Sequence, residues 1–498
     1  MLMNKKNLKN LVYSFIGQLA VLGLALVVPR FILTGYGSDT NGLLSTVGQI
    51  IAYLSLLEAG IGQATRNELY KYLHGDVSDK NGISSVMSIS RKTYRKMTVV
   101  YALLVAVLAL VLPFAIKTDL SKPTVFFVIL IEGASSVVSF FFVQDQISLL
   151  IADGRQYVNS NIEILFKSLI YIIKIVMAVL GVNIILMEVG FFVATVIKIL
   201  IYKAYMKRHY GWLDYSPADN KGRLKDRGAY IITEVAWTVF SSTDMIVISI
   251  FCSTKSSSVY AVYYMVFLVI SKLADAVFTS LKFNLGQTFH DDHERYKTTH
   301  DLFNTAFFGV VSALLAVAYY LCVPFVSLYT VGISDAEYID NALPLGFCLI
   351  ILLSWSRMVP EHLVGVAGLA KKLCVVSVVE VAANIILSVV LVNSLGIRGV
   401  LYATAAALPL KVIYCNYLAD KVILKRSVFK TVRIIAANAV LFAVLAVCRR
   451  FVGVNIGSYG SFVIHGLLFT LCFAVLFFAV NLAANPGLFK SIGKQGGK

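Results

Sequence analysis

Ionisable side chains recur at close spacings inside apolar stretches of this chain, and that is where its chemistry has to be sought. Lys167 and Lys174 stand seven residues apart, two helical turns, so both fall on one helix face. Lys272 and Asp275 are three apart and could pair on one face; Arg357 and Glu361 are four apart and bracket Pro360. Asp244 closes a polar notch, Ser241, Ser242 and Thr243, and Arg30 follows Pro29. Glu58 lies inside the apolar stretch 42–66, which is long enough to cross a bilayer as one helix. A charge at that depth costs about 2.5–3.5 kcal/mol even on a lenient scale, so a retained one reads as functional. Cations of this kind suit phosphate, and carboxylates suit coupling ions or gates. Blander roles compete: Arg30 near a membrane edge could snorkel, Arg357 and Glu361 could form a structural pair, and Lys198 and Glu163 are expected to snorkel or be solvated. Glu132, Asp145, Glu234, Glu380 and Lys411 are further charges within apolar runs.

Enzyme signatures are missing from the sequence. It carries no P-loop, no G-x-S-x-G, no H-E-x-x-H and no Gly-rich fingerprint after a strand. The seven cysteines form no C-x-x-C pair and read as small buried hydrophobes, without a zinc site or disulfide framework. His290, His293 and His300 are expected in a solvated polar loop, not at a metal, and no cofactor is implied. The net charge of +17 raises nucleic acid as a partner, but no soluble basic domain exists to bind it.

The elements that must position these charges are membrane helices. The 498 residues are 58% hydrophobic and only 14% charged, against roughly 25% charged in soluble proteins. About 14 apolar segments are long enough to span: 11–33, 43–66, 97–116, 123–151, 158–180, 183–203, 229–251, 257–281, 302–325, 341–368, 372–393, 397–418, 431–450 and 459–484. The first is too long for a signal-peptide core and is followed by no small-x-small cleavage site. Alternating sides along this series places 31 Lys and Arg in one set of loops and 6 in the other, so the lysine-rich loops and both termini are expected in the cytoplasm.

The longest mid-chain basic loop, about 204–228, divides the spans after the sixth. The second half then restarts. At an offset of 217 residues Gly42 falls on Val259, Glu58 on Asp275 and Tyr13 on Tyr230. Six helices per copy preserve orientation, so the repeat is parallel. The expected fold is an all-α polytopic membrane protein of about 14 transmembrane helices. It has a six-helix lobe at 1–207, a basic linker at 208–228, a second lobe at 229–420, and two extra helices with a basic tail at 421–498. Glu58 and Asp275 are expected to face a cavity between the lobes.

The Leu-x-x-Leu-Glu-x-Gly-Ile-Gly-x-Ala pattern at 54–64, the basic start to the first helix, the Asp244 notch and the six-plus-six-plus-two layout resemble the bacterial polysaccharide-transporter (oligosaccharide flippase, Wzx-type) family. That family belongs to the multidrug/oligosaccharidyl-lipid/polysaccharide (MOP) exporter superfamily. The resemblance implies a two-lobed alternating-access flippase in the bacterial cytoplasmic membrane. Its implied cargo is an undecaprenyl-pyrophosphate-linked oligosaccharide of capsule, exopolysaccharide or O-antigen. Polymerase and glycosyltransferases of the same pathway are implied partners. The cationic pyrophosphate-binding role carries over to Arg30, Lys167, Lys174, Lys272 and Arg357 by helix position. Glu58, Asp244, Asp275 and Glu361 stand as gate or coupling-ion carboxylates. Two rivals are an ion-coupled multidrug antiporter of the same superfamily and a membrane polysaccharide polymerase or glycosyltransferase.

Overall fold

The computed structural model describes residues 5–55, 61–73, 79–216, 228–291, 293–453 and 456–485, with some of their side chains left undescribed. The described residues are helical, with no strand among them. The chain divides into two compact units, Met1–Ser258 and Val259–Lys498. Nine helices among the described residues are long and apolar enough to cross a membrane, and two shorter apolar helices, Val21–Tyr36 and Thr238–Phe251, accompany them. The chain is a multi-pass, all-α membrane protein.

The first unit holds α1 (Lys5–Tyr36), α2 (Ser38–Leu54), α3 (Ile61–Leu69), α4 (Lys80–Ala115), α5 (Lys122–Ala152), α6 (Gln156–Val179), α7 (Ile184–His209), α8 (Gly228–Phe251) and the first turn of α9 (Thr254–Asp291). Helix starts are set by short polar side chains. Asp79 accepts from the backbone N–H of Asn81 and Gly82, Ser121 from Thr124 and Asn183 from Ile185. α4 lies along α5, α5 packs on α7, and α6 on α1 and α7, while α2 packs on α8. One core layer gathers Leu43, Val47, Ala109, Val128 and Met187; a second gathers Leu69, Met87, Leu149, Leu150 and Tyr202.

The second unit holds the rest of α9, α10 (His293–Tyr329), α11 (Leu343–Ser356), α12 (Met358–Val366), α13 (Ala370–Tyr417) with a π-helical turn (Leu418–Ile423), α14 (Phe429–Cys448) and α15 (Tyr459–Ala484). α13 is two antiparallel spans. Gly396 breaks it at φ 56°, ψ −135°, and Asn384 Nδ2 donates to Thr404 Oγ1 over 2.7 Å. Those residues would lie about 30 Å apart on a straight helix. α14 and α15 are joined by reciprocal amides: Asn438 Nδ2 donates to Asn481 Oδ1 (2.9 Å), and Asn481 Nδ2 to Asn438 Oδ1 (2.8 Å). Gly309 of α10 makes room for them; a Cβ there would lie 2.8 Å from Asn481 Nδ2.

Within the 42–66 stretch the described residues form most of α2 and most of α3, and Glu58 lies outside the described residues. Another expected span is broken. The 341–368 stretch forms α11 and α12, parted at Arg357, because Pro360 has no N–H to return to the carbonyl of Ser356. The histidine group lies in helices and not in a loop, since α9 runs to Asp291 and α10 begins at His293. His300 is buried, with Nδ1 3.4 Å from Asp301 Oδ1.

Long apolar faces remain uncovered within the chain. Leu103, Val107, Leu110 and Phe114 on α4, and Leu467, Leu471, Val475 and Phe478 on α15, recur every three or four residues and are each more than half exposed. Such faces are stable only against lipid tails. Replacing Leu471 with Lys is therefore expected to cost about 2.5–3.5 kcal/mol of insertion. Asn438→Leu should cost only about 0.6–1.7 kcal/mol, the range for a polar contact between membrane helices. Membrane-fraction abundance should fall sharply for the first and little for the second, with the second losing melting temperature instead.

Candidate functional site

Three groups of polar side chains occupy helices that otherwise serve lipid. The first ties α2 to α8 and the start of α9, at the end of the unit opposite the lysine-rich loops. Asp39 Oδ1 accepts from Thr254 Oγ1 and from Thr118 Oγ1 (3.2 Å), and its Oδ2 lies 3.5 Å from Lys255 Nζ. Lys255 also grips Asp119 at 2.6 Å. That hydrogen bond holds the Asp119 carboxyl below the usual carboxylate range, so the pair stays charged as pH falls through that range. Asn41 Nδ2 donates to Ser258 Oγ (2.8 Å), Thr46 meets Ser249 (2.6 Å), and Ser249 meets Ser257 (2.6 Å). The close approach depends on Gly42, where a Cβ would sit 1.7 Å from the Thr254 carbonyl oxygen. Asn41 and Ser258 are 217 residues apart, the offset that aligns the two halves of the sequence.

Lower on α2, the Tyr53 hydroxyl meets the Thr243 hydroxyl and the Val239 carbonyl. Asp244 is buried beside them in the polar notch. α2 and α8 are thus bonded by side chains along much of their length, and a carboxylate lies buried at their contact.

The second group lies within α5, α6 and α7. Lys174 Nζ is 3.5 Å from Glu188 Oε1, with Glu188 fully buried and Glu132 of α5 close enough to interact with both. Lys198 pairs with Glu163 at 3.4 Å and lies over the Phe166 ring. Both pairs cross the turn at 180–183, and their members stand at similar distances from it. Equal spacing about that turn is the signal that would have identified Glu188, which sequence reasoning passed over. Lys174 is therefore engaged by an acid, whereas Lys167, on the same helix, is exposed and has no ion pair among the described residues.

The third group belongs to the second unit. Arg357 is almost wholly buried at the α11–α12 break. Its Nη1 donates to Glu380 Oε1 of α13 at 2.5 Å, while its Nε is 3.4 Å from Glu361 Oε2, too long for a well-formed hydrogen bond. Glu361 is taken up by Lys411 Nζ at 2.8 Å. Two cations and two anions thus close a neutral network that crosses both spans of α13. Nearby, Arg426 bridges Asp420 (2.7 Å) and Asp301 (2.6 Å), fastening α10 to the π-helical turn.

The remaining expected residues are dispersed. Arg30 is half-buried on α1. Lys272 and Asp275 are exposed on α9, and no ion pair joins them. A possible metal site, three or more His, Cys, Asp or Glu together, does not occur among the described residues.

No family model and no curated protein matches the chain. Solved structures do. The lipid II flippase MurJ in an inward closed conformation aligns over 94% of this chain and 99% of its own, with TM-score 0.66 and 13% identity. An inward-facing multidrug resistance MATE family transporter of the MOP superfamily aligns over 85% and 94%, with TM-score 0.62 and 12% identity. A MOP superfamily transporter from Pyrococcus furiosus aligns over 84% and 96%, with TM-score 0.57 and 14% identity. These are likenesses of fold: the chain has the architecture of these solved transporters and of the flippase.

Three substitutions test which contacts hold the architecture. Glu380→Leu leaves Arg357 buried without its main partner and is expected to cost about 3–5 kcal/mol. Glu361→Gln leaves that bond intact and should cost less than half as much. Gly42→Ala should separate α2 from α9. Melting temperatures of the purified variants in one detergent would rank them, and a Glu380→Leu protein as stable as Glu361→Gln would contradict the assignment of Glu380 as the main partner.

Proposed function

We propose that this protein is a flippase that turns a lipid-linked oligosaccharide, carried on undecaprenyl pyrophosphate, from the inner to the outer leaflet of the bacterial cytoplasmic membrane. The observation that carries this reading is the extent of the likeness to a lipid flippase, 94% of this chain and 99% of that one. The MATE transporter leaves a larger share of this chain unmatched, covering 85% of it. Residues 1–207 and 229–420 would form the two moving lobes, with both termini in the cytoplasm. Polymerase and glycosyltransferases of the same pathway would supply and consume the cargo.

The charge pattern narrows which cations serve the pyrophosphate. Lys174 and Arg357 already hold acids, so their first effect is structural. Lys167 and Lys272 are exposed within apolar spans and have no ion pair among the described residues, which leaves their charge available to a phosphate. Arg30 is retained as a further candidate at the edge of α1. Asp244, Asp275 and Glu361 are proposed as gate or coupling carboxylates, together with Glu58. In the case of Glu361, loss of charge would leave Lys411 without its partner.

The antiporter reading keeps one specific support, the shared MATE fold at TM-score 0.62. The two are separated by one pair of assays. Expression in a flippase-deficient strain should restore surface polysaccharide, and Lys167→Ala with Lys272→Ala should lower it at least tenfold at unchanged membrane abundance. Resistance to toxic cations should not change. Restored resistance without restored polysaccharide would favour the antiporter instead.

A further inference from the structure

The first unit has a pocket of about 330 Å³ at its lysine-rich end, lined by Arg91, Arg95, Phe141, Phe142, Gln146 and Lys203. It sits where α4, α5 and α7 converge. Arg95 is twenty residues from the far end of α4, a rise of about 30 Å, which is one hydrocarbon thickness. The pocket therefore lies at head-group level and faces one leaflet.

Its charges are not equivalent. Arg91 is fixed, its Nε donating to Asp145 Oδ2 at 2.9 Å and its guanidinium lying 3.2 Å from the centre of the Tyr215 ring. The Tyr215 carbonyl in turn accepts from Ser88 Oγ at 3.0 Å, which holds the 210–216 segment over the site. Arg91 is thus neutralised. Arg95 and Lys203 are not, and no acid pairs with either among the described residues. They lie over aromatic faces, Arg95 at 5.1 Å from Phe141 and Lys203 at 4.3 Å from Phe142. Cation–π contact orients a cationic head without using up its N–H donors. A net charge of two thus converges on a partly apolar floor, and a phosphate with its acyl chains in lipid complements both features.

Gln146 adds a separate requirement. It is 5% exposed, and its Nε2 is committed to the Phe142 carbonyl at 2.9 Å. Its Oε1 is buried and has no hydrogen-bond partner. An unmet buried acceptor costs about 1–3 kcal/mol, which a ligand hydroxyl would relieve. The oxygens of an ionised phosphate diester are acceptors and cannot supply that donor.

We infer that the Arg91–Arg95–Lys203–Gln146 pocket binds the head group of a lipid phosphate ester that carries a neighbouring hydroxyl, as a glycerol or sugar phosphate does. The inference needs only that α4, α5 and α7 span the bilayer, and it stands whatever cargo is transported.

The test uses the full-length protein and retention of added lipid. Wild type should retain phosphatidylglycerol at least tenfold better than phosphatidylcholine, and better than phosphatidylmethanol, which lacks the hydroxyl. Arg95→Gln with Lys203→Gln should cut phosphatidylglycerol retention at least fivefold, while Lys207→Gln with Arg208→Gln, on the same helix end, should not. Gln146→Leu should abolish the preference over phosphatidylmethanol and leave the rest. Equal losses in the two double variants would reduce the site to a general surface charge and overturn the inference, as would unchanged retention in Arg95→Gln with Lys203→Gln. Full competition by inorganic phosphate or glycerol phosphate alone would also overturn it, because no lipid would then be needed. Displacement by undecaprenyl pyrophosphate at tenfold lower concentration would support the site as an entry point for cargo; resistance to it would support occupation by bulk anionic lipid.

Discussion

An ionised side chain within a bilayer has to find an opposite charge or water, and most of this structure can be read from how that demand is met. Desolvation costs several kcal/mol per ion, and only a partner within hydrogen-bonding reach offsets it. Arg357 finds Glu380, Lys411 finds Glu361, Lys174 finds Glu188 and Lys198 finds Glu163. Each pair joins two helical segments that hydrophobic contact alone would not hold, since lipid solvates apolar side chains as well as a neighbouring helix does. The pairs therefore specify which helix lies beside which, and at what height. Arg357 shows the consequence for backbone: the α11–α12 break falls at the residue whose guanidinium must turn toward α13.

Neutral polar bonds perform the same work with smaller stakes. Asn438 and Asn481 join the last two helices, and Asn384 with Thr404 closes the hairpin within α13. The bonds between α2, α8 and the start of α9 are denser, with Asp39, Thr46, Asn41 and Tyr53 all engaged. Hydroxyl and amide bonds of this kind exchange partners at low cost, unlike a buried ion pair. The arrangement around Gly42 is of the exchangeable sort.

The charges that remain exposed gain meaning by contrast. Lys167 and Lys174 look alike in sequence, two turns apart on one helix, yet one is engaged with Glu188 and the other is exposed. At the lysine-rich end, Arg91 and Arg95 divide in the same way, one held by Asp145 and one left over Phe141. In both cases the engaged member builds the fold, and the free one is available to something outside it.

The all-α membrane class was legible in sequence, because hydropathy acts residue by residue and needs no partner to be counted. The breaks between the expected spans 158–180 and 183–203, and between 372–393 and 397–418, were legible for the same reason: glycine and asparagine act locally on the backbone. What sequence left open was pairing. Nothing local says that Arg357 prefers Glu380, twenty-three residues away, to Glu361, four away. Glu188 and Asp39 drew no notice, one at the end of an apolar run and the other in a short polar turn. Sequence by itself determined which residues must avoid lipid; only the tertiary structure decided where each found its partner, because a partner is defined by distances between helices that no single helix contains.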